Sequence, residues 1–464
     1  MTNWLPSIDQ RKGPRYLAIA DAIGESIQAG ELKSQERLPT HRDLAYHLGV
    51  TVGTVSRAYA EAVRRDLVTG EVGRGTYVRA DDVKAAQFRI PYRAEPDTFD
   101  FALNYQAAAS REEYLRSSLM VLAQDPGLVA VMHYQSEKGM DHHRRILAKW
   151  AATYGVPDDY ERIVISNGVQ HAMQLSLTAV CKAGDTVLCE EYSYPGIKGL
   201  AAQSGLKLHG LPMDENGLLP DKFEEAIIST GSRVLYFMPN FQNPTGVHMS
   251  SLRRREIAAI AERYKVWLIE DDIYGFLAKN PTNNLSFAAL LPDQTFYLNG
   301  ASKCIAPGLR VGFILAPQSQ VDMVAACMRM SSWMASPLNV EICTRWIEDG
   351  TAEKVIASSR VESRLRQSIM RKHLGDYNLK GAIGAYHDWL ILPKPWRADT
   401  FCMRARERDV SILPAHVFHI GKKDPVNAVR ICYGAPNSAD QVEEGMSRLS
   451  QLINEEIHAY HSVM

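Results

Sequence analysis

Apolar positions recur at helical spacing near the N-terminus and later gather into short unbroken runs. Tyr16, Ile19, Ala20, Ile23 and Ile27 share one helical face, and Gly30 is placed to end that helix. Residues 40–48 fit a second short helix, with Thr40 as N-cap and Asp43 three positions on. After the turn Gly49-Val50-Thr51, a third helix is expected from Val52 to about Arg65. Residues 69–78 then read as two short strands around Gly73-Arg74-Gly75. Residues 81–98 carry two prolines and no amphipathic period, the pattern of a linker.

From about residue 99 onward, apolar runs alternate with helical patterns, which predicts β-α units around a mainly parallel sheet. The expected buried strands are 162–165, 186–189, 233–237, 266–269, 295–298 and 311–315. Most are followed at once by polar residues or glycine, as in Ser166-Asn167-Gly168, Glu270-Asp271-Asp272 and Asn299-Gly300. Open α/β sheets bind ligands beyond the carboxyl ends of their strands. The unusual residues of this chain cluster there.

At 464 residues the chain is too long for one core, so domains are expected at 1–80 and 99–464, joined by the linker 81–98. A smaller subdomain is expected over about 346–464. Hydrophobic content of 46% and charged content of 23% suit an ordinary globular protein. The net charge of −1 excludes a polyelectrolyte that binds nucleic acid with its whole surface. Residues 1–80 hold eleven Lys/Arg and nine Asp/Glu, a local 11 − 9 = +2 that leans faintly toward DNA. Seven cysteines, odd in number and without CxxC spacing, point to reduced thiols in the cytoplasm. The N-terminus lacks a signal-peptide core, and no apolar run reaches the ~18 residues of a membrane span, so no membrane partner is expected. His133, His142 and His143 lack the spacing of a helical metal site and read as surface polar residues; no metal is expected. The Met-rich stretch 323–334 reads as helix packing.

Helix, tight turn, helix is the spacing of a helix-turn-helix, whose second helix enters the major groove. Thr51, Gly53, Thr54 and Arg57 lie at its start and outward face, and Arg74 and Gly75 sit in a wing able to reach phosphates. The strings RLPTHRDLAYHLGVTVGTVSRAY and GEVGRGTYV resemble the winged-helix domain of the GntR family of bacterial regulators. The resemblance implies DNA contacts from Arg42, the recognition helix and the wing glycine. Family members commonly have Ser-Arg where this chain has Thr51-Val52.

Four further strings occur in order: Asn243-Pro244-Thr245-Gly246, Asp271-Asp272-Ile273-Tyr274, Ser302-Lys303, and Pro307-Gly308-Leu309-Arg310. Together they resemble the fold type I aminotransferases, which use pyridoxal 5′-phosphate, over roughly residues 99–464. Joined to the N-terminal domain, they resemble the MocR subfamily of GntR regulators. The implied fold class is α/β: a mainly parallel sheet and a small C-terminal domain, preceded by a winged helix-turn-helix.

The resemblance assigns roles that the chemistry explains. Lys303 matches the lysine that forms a Schiff base with the cofactor aldehyde. Asp271 matches the carboxylate that keeps the ring nitrogen protonated, with Asp272 as competitor. Tyr274 and Asn243 would donate to the ring hydroxylate. Gly168, Val169 and Gln170 open a helix whose N–H groups suit a phosphate. Ser302 and Arg310 would add further phosphate donors. Tyr194, rather than its neighbour Tyr192, would stack on the ring. Tyr134 resembles the tyrosine that reaches the phosphate across a dimer interface, which implies a homodimer. Arg430 matches the arginine that binds a substrate carboxylate, so the ligand would be an amino acid or related amine. Position 300 is Gly where relatives often carry Ser or Thr.

The function implied is a transcriptional regulator that binds a double-stranded DNA operator and senses an amino acid or amine effector through Lys303. The alternative is a working aminotransferase with a secondary or vestigial N-terminal domain. Slow or half-transamination at most is expected of a regulator.

Overall fold

The computed structural model describes residues 4–6, 8, 14–28, 31–33, 35–64, 67–71, 75–78, 98–105, 111–278, 285–421 and 424–461. The chain divides into two units, Met1–Tyr92 and Arg93–Met464. Gly30, Gly73, Arg74 and all of the expected linker except Thr98 lie outside the described residues.

In the first unit, α1 (Arg15–Gln28), α2 (His41–His47) and α3 (Val52–Arg64) precede a hairpin of β1 (Val68–Glu71) and β2 (Gly75–Val78). Ile19, Ile23, Leu44, Val55 and Ala58 are fully buried in one small core, as the helical spacing requires. Thr40 caps α2: its Oγ1 accepts the Asp43 N–H at 3.2 Å and donates to the Asp43 carboxylate at 2.7 Å. Thr51 does the same for α3, accepting the Thr54 N–H at 3.2 Å.

In the second unit, β3 (Phe99–Asp100) precedes the strands of the main sheet, β4 (Ile163–Ser166), β5 (Thr186–Glu190) and β6 (Lys207–Leu211). A short hairpin, β7 (Met213–Asp214) and β8 (Gly217–Leu218), leads to β9 (Val234–Phe237), β10 (Trp267–Asp271), β11 (Thr295–Gly300) and β12 (Gly312–Leu315). The seven-stranded order is β4-β12-β11-β10-β9-β5-β6, parallel except for β12, which runs against both neighbours. The six runs read from the sequence as strands are strands here, shifted by one or two residues at some ends. The strand not foreseen is β6, whose half-polar Lys-Leu-His-Gly-Leu lies at the sheet edge.

A second, antiparallel sheet follows: β13 (Asn378–Lys380), β14 (His387–Ile391), β16 (Leu413–Pro414) and β17 (Ala428–Cys432), in the order β13-β14-β17-β16. The intervening β15 (Val410–Ser411) pairs in parallel with β3. Residues 98–101 thus pack with the C-terminal part of the chain. No helix among the described residues is long and apolar enough to cross a membrane.

Candidate functional site

The parallel strands end on one edge of the main sheet, and the candidate residues follow those ends. Three consecutive acids stand at the end of β10, all buried: Glu270 and Asp271 close the strand and Asp272 follows it. Asp272 accepts from Asn240 at 2.5 Å and from the Tyr297 hydroxyl at 2.8 Å. Glu270 has the Arg254 guanidinium 3.9 Å away, and Arg254 also acts electrostatically on Asp272. Asp271 is different. Its Oδ2 accepts the Tyr236 hydroxyl at 2.9 Å and its Oδ1 the Ile273 N–H at 3.2 Å, and no cation pairs with it among the described residues. Burial raises its pKa to about 6, while Tyr236, the Ile273 amide and the field of Lys303 pull it back. The two aspartates therefore separate by environment: Asp272 belongs to a closed network, and Asp271 is a buried acid held by one phenol and one amide.

Lys303 follows β11 and donates to the Asn104 carbonyl. Burial, then the nearby Arg430 charge, lowers its pKa to about 8. A useful fraction of the amine is then neutral near physiological pH, which a nucleophilic amine requires. Asn243 is buried, and its Oδ1 accepts Arg430 Nη1 at 2.7 Å, which leaves its Nδ2 as a donor. Arg430 also donates to the Ala102 carbonyl and lies 4.7 Å over the Phe418 ring. Tyr274 is buried, and burial holds its hydroxyl well above the usual range. Tyr194 lies within the fields of Asp271, Arg310 and Arg430. Tyr192 instead spends its hydroxyl on the Val426 N–H at 2.7 Å and packs its ring against Trp389 and His419. Of the pair, Tyr192 is engaged away from the site and Tyr194 lies among its charged groups.

Hydrogen-bond donors gather at the start of α4 (Val169–Val180). Gly168 adopts φ +88°, and no side chain caps this helix end. Arg310 Nη2 reaches the Asn167 carbonyl at 3.4 Å and Arg310 Nη1 the Ser302 hydroxyl at 3.3 Å, so both donors stand at the same rim. A Cβ at position 168 would sit 2.6 Å from Arg310 Nη2. Arg310 itself is held at φ +53°, a left-handed conformation that costs ~1 kcal/mol or more in a non-glycine residue. Gly168→Ala is therefore expected to weaken phosphate and phosphate-ester affinity about tenfold through strain and the displaced guanidinium; titration of near-visible absorbance with cofactor would measure it.

The residues fit pyridoxal phosphate on the structure's own terms. Gln170 Oε1, Ser193 Oγ, Asn104 Oδ1 and Arg430 Nε are buried polar atoms without a hydrogen-bond partner among the described residues. Such atoms normally find partners, and a polar ligand bound here would supply them. Gly300 answers the substitution noted in the sequence: a Cβ there would lie 2.6 Å from the Val311 carbonyl, so close pairing with β12 admits no side chain.

Sequence reasoning missed Asn104, Tyr236 and His387. Tyr236 was legible as the one hydroxyl in the apolar run of β9, since a buried phenol needs a partner. Asn104 and His387 carried no signal, because their meeting at 2.8 Å joins positions 283 residues apart. One reading is corrected. His143 is not a surface residue but 1% exposed, with Nε2 2.7 Å from Glu341, while exposed His142 lies 3.6 Å from the same oxygen. These three could approach one ion, but Arg345 occupies the other Glu341 oxygen at 2.5 Å. The Met-rich stretch is likewise split: Met328 is buried in the helix Val321–Ser331, but Met323 and Met330 are exposed. Tyr134 is 81% exposed beside Trp333, on the surface rather than in the site of its own chain.

In the first unit, Arg42, Thr51, Gly53 and Arg57 are exposed and Thr54 is half-buried. Arg57 extends over the Tyr16 ring at 5.2 Å. Gly75 holds φ +122° against the Arg37 side chain, where a Cβ would come within 2.7 Å.

Comparison with known proteins agrees with both units. Residues 129–449 match the family described as aminotransferase class I and II, and residues 15–78 match the bacterial regulatory proteins of the gntR family. The HTH-type transcriptional regulator YdeF of Bacillus subtilis is 29% identical over 461 residues, covering 98% of this chain and 97% of its own. The HTH-type transcriptional regulator TauR of Rhodobacter capsulatus is 24% identical over 484 residues, covering 93% and 95%. The solved Pyrococcus horikoshii kynurenine aminotransferase superposes with a TM-score of 0.72 at 25% identity, covering 82% of this chain and 95% of that one. The family is pyridoxal phosphate-dependent and its architecture is fold type I. This chain belongs to the class I and II aminotransferases, with a gntR-family helix-turn-helix domain fused ahead of the aminotransferase fold.

Proposed function

We propose that this chain is a transcriptional regulator of the MocR type, which binds a double-stranded operator through residues 1–80 and senses an amino acid or related amine at Lys303. One observation carries the reading: beyond the same ends of the main sheet, a buried Asp271 that no cation pairs with among the described residues stands with a lowered-pKa lysine, in a chain that also carries a helix-turn-helix. Full-length relatives named as regulators support the regulator over a plain aminotransferase. Such a protein works in the cytoplasm, in keeping with seven unpaired cysteines.

Pyridoxal phosphate bound here would supply an aldehyde that exchanges between amines, and a ring that draws electrons from them. Lys303 would hold the aldehyde carbon, and Asp271 would keep the proton on the ring nitrogen. Tyr274 and Asn243 Nδ2 would donate to the ring oxygen, and Tyr194 would cover the ring face. The Gly168-Val169-Gln170 backbone with Ser302 and Arg310 would hold the phosphate. Arg430 would bind the effector carboxylate in place of its present carbonyl partner. Exposed Tyr134, with Trp333 beside it and Met132 and Met330 also exposed, supports a homodimer in which it touches the phosphate of a second copy.

Gel shifts on DNA upstream of this gene and its neighbours test the reading, together with turnover assays on a panel of amino donors and keto acids. Specific DNA binding with slow or single half-reactions is the expected result; rapid steady turnover without DNA binding would favour the aminotransferase alternative. Arg57→Ala is expected to weaken operator binding about tenfold and to lower the salt slope by about 1, as loss of one phosphate contact does; anisotropy across a salt series reads both. Arg430→Gln is expected to weaken carboxylate-bearing effectors about 100-fold, a typical loss for a buried charge pair, while amines without a carboxylate are affected little. Spectral titration of the cofactor-loaded protein with an amino acid and its decarboxylated amine separates the two.

A further inference from the structure

Residues 98–105 are the first described stretch after the linker segment, and they touch both charged ends of the site. Their first half is stitched into the C-terminal part of the chain. The Phe99 N–H donates to the Asp409 carbonyl at 2.8 Å, the Phe101 N–H to the Ser411 carbonyl at 2.8 Å, and the Cys432 N–H to the Phe101 carbonyl at 2.9 Å. Phe101 is fully buried, and Gly445 makes room for its ring, since a Cβ there would lie 2.3 Å from Cε2.

The second half is held differently. The Ala102 carbonyl accepts from Arg430, and the Asn104 carbonyl accepts from Lys303. The Asn104 side chain meets His387 Nδ1 at 2.8 Å, and His387 Nε2 meets the Gln242 carbonyl at 2.9 Å. A carbonyl only accepts, so Nε2 carries the proton, Nδ1 accepts, and Asn104 Nδ2 donates. Two charged side chains that the ligands of the site compete for therefore pin the backbone of residues 102–104.

We infer that residues 98–105 form a tether that registers occupancy of Lys303 and Arg430 at the strand adjoining the linker. The inference rests on the cofactor reading above. When the neutral Lys303 amine bonds the aldehyde carbon, the aldehyde oxygen leaves as water with both amine hydrogens. The Asn104 carbonyl then loses its donor. A carboxylate on Arg430 draws the guanidinium from the Ala102 carbonyl in the same way, leaving it only the weak Cys432 thiol donor at 3.9 Å. A buried carbonyl stripped of its donor is costly, so residues 102–105 must shift or hydrate while β3 stays paired with β15. The Ala102 and Leu103 N–H groups are held by Asp100 Oδ1 at 2.8 and 3.1 Å, so that change bears directly on β3, the strand adjoining the linker.

Hydrogen exchange on the full chain, read peptide by peptide, tests this in four samples: protein alone, with inorganic phosphate, with pyridoxal 5′-phosphate, and Lys303→Met without addition. Cofactor is expected to raise exchange across 102–105 about tenfold, equal to ~1.4 kcal/mol of easier opening. Phosphate should leave it unchanged. Lys303→Met should show the raised level by itself. Unchanged exchange in a cofactor sample whose absorbance shows attachment overturns the tether and leaves the proposed function standing. Equal exchange in Lys303→Met and the unaltered chain overturns it as well. Raised exchange in Lys303→Met, with no cofactor absorbance in any sample, supports the tether and removes the cofactor reading.

Discussion

A protein carrying Lys303→Ala is expected to lose every trace of borohydride-fixed cofactor, the largest effect any single substitution here should produce. The amine follows β11, and its neighbours tune it for the task. Burial and the Arg430 charge bring its pKa to about 8, against an ordinary lysine near 10.4. The same tuning sets a pH profile in the unaltered protein. The neutral amine reacts, so the rate of cofactor attachment should rise as pH climbs toward about 8 and level off above it. Stopped-flow absorbance measures that rate. A profile still rising steeply through pH 10 would mean that the lysine is untuned and the site wrongly assigned.

Asp271→Asn is expected to cost about 100-fold in cofactor affinity, the scale of a lost charge-assisted hydrogen bond in a buried site. Asn keeps the shape and can still take the Tyr236 hydroxyl, but it offers no charge to a protonated ring nitrogen. Folding raises the Asp271 pKa to about 6, from the 3.8 of an unperturbed aspartate. The folded chain therefore favours the neutral form, and above about pH 6 the buried charge is a cost. Two signs follow. The cofactor-free Asn variant should melt no lower than the parent at pH 7.5. In the parent, cofactor affinity should fall more steeply as pH drops below about 6, where Asp271 takes up a proton; in the variant only the Lys303 dependence should remain. Melting curves and spectral titrations at pH 5 to 8 check both. Asp272→Asn is the control, because Asn240 and Tyr297 already engage Asp272.

The sequence carried the local parts of this arrangement well. The unbroken apolar run 295–298, followed by Asn-Gly and Ser-Lys, reads as a buried strand with a reactive end because parallel strands are apolar on both faces. Thr40 was legible as a cap because its hydroxyl works on an amide three residues away. The edge strand β6 was not, since one half-exposed face breaks the apolar run into Lys-Leu-His-Gly-Leu. The choice between Asp271 and Asp272 also lay beyond the string, because adjacent acids on a strand point to opposite sides and only the packing says which side holds Arg254. His143 misled for a related reason: its burial depends on Glu341, 198 residues away. The tether at Ala102 and Asn104 uses backbone carbonyls, which have no signature in the residue letters at all.

The central claim is that chemistry at Lys303 changes how residues 1–80 hold DNA. Its most direct test is operator affinity, by anisotropy at fixed low salt, for three states of the unaltered chain: cofactor-free, cofactor-loaded, and cofactor-loaded with an amino acid that shifts the absorbance. Coupling between distinct sites typically amounts to about 1–3 kcal/mol, so at least two states should differ by about fivefold or more, and Lys303→Ala should bind DNA identically under all three conditions. Equal affinity in all three states of the unaltered chain, with the cofactor demonstrably attached, would contradict the account.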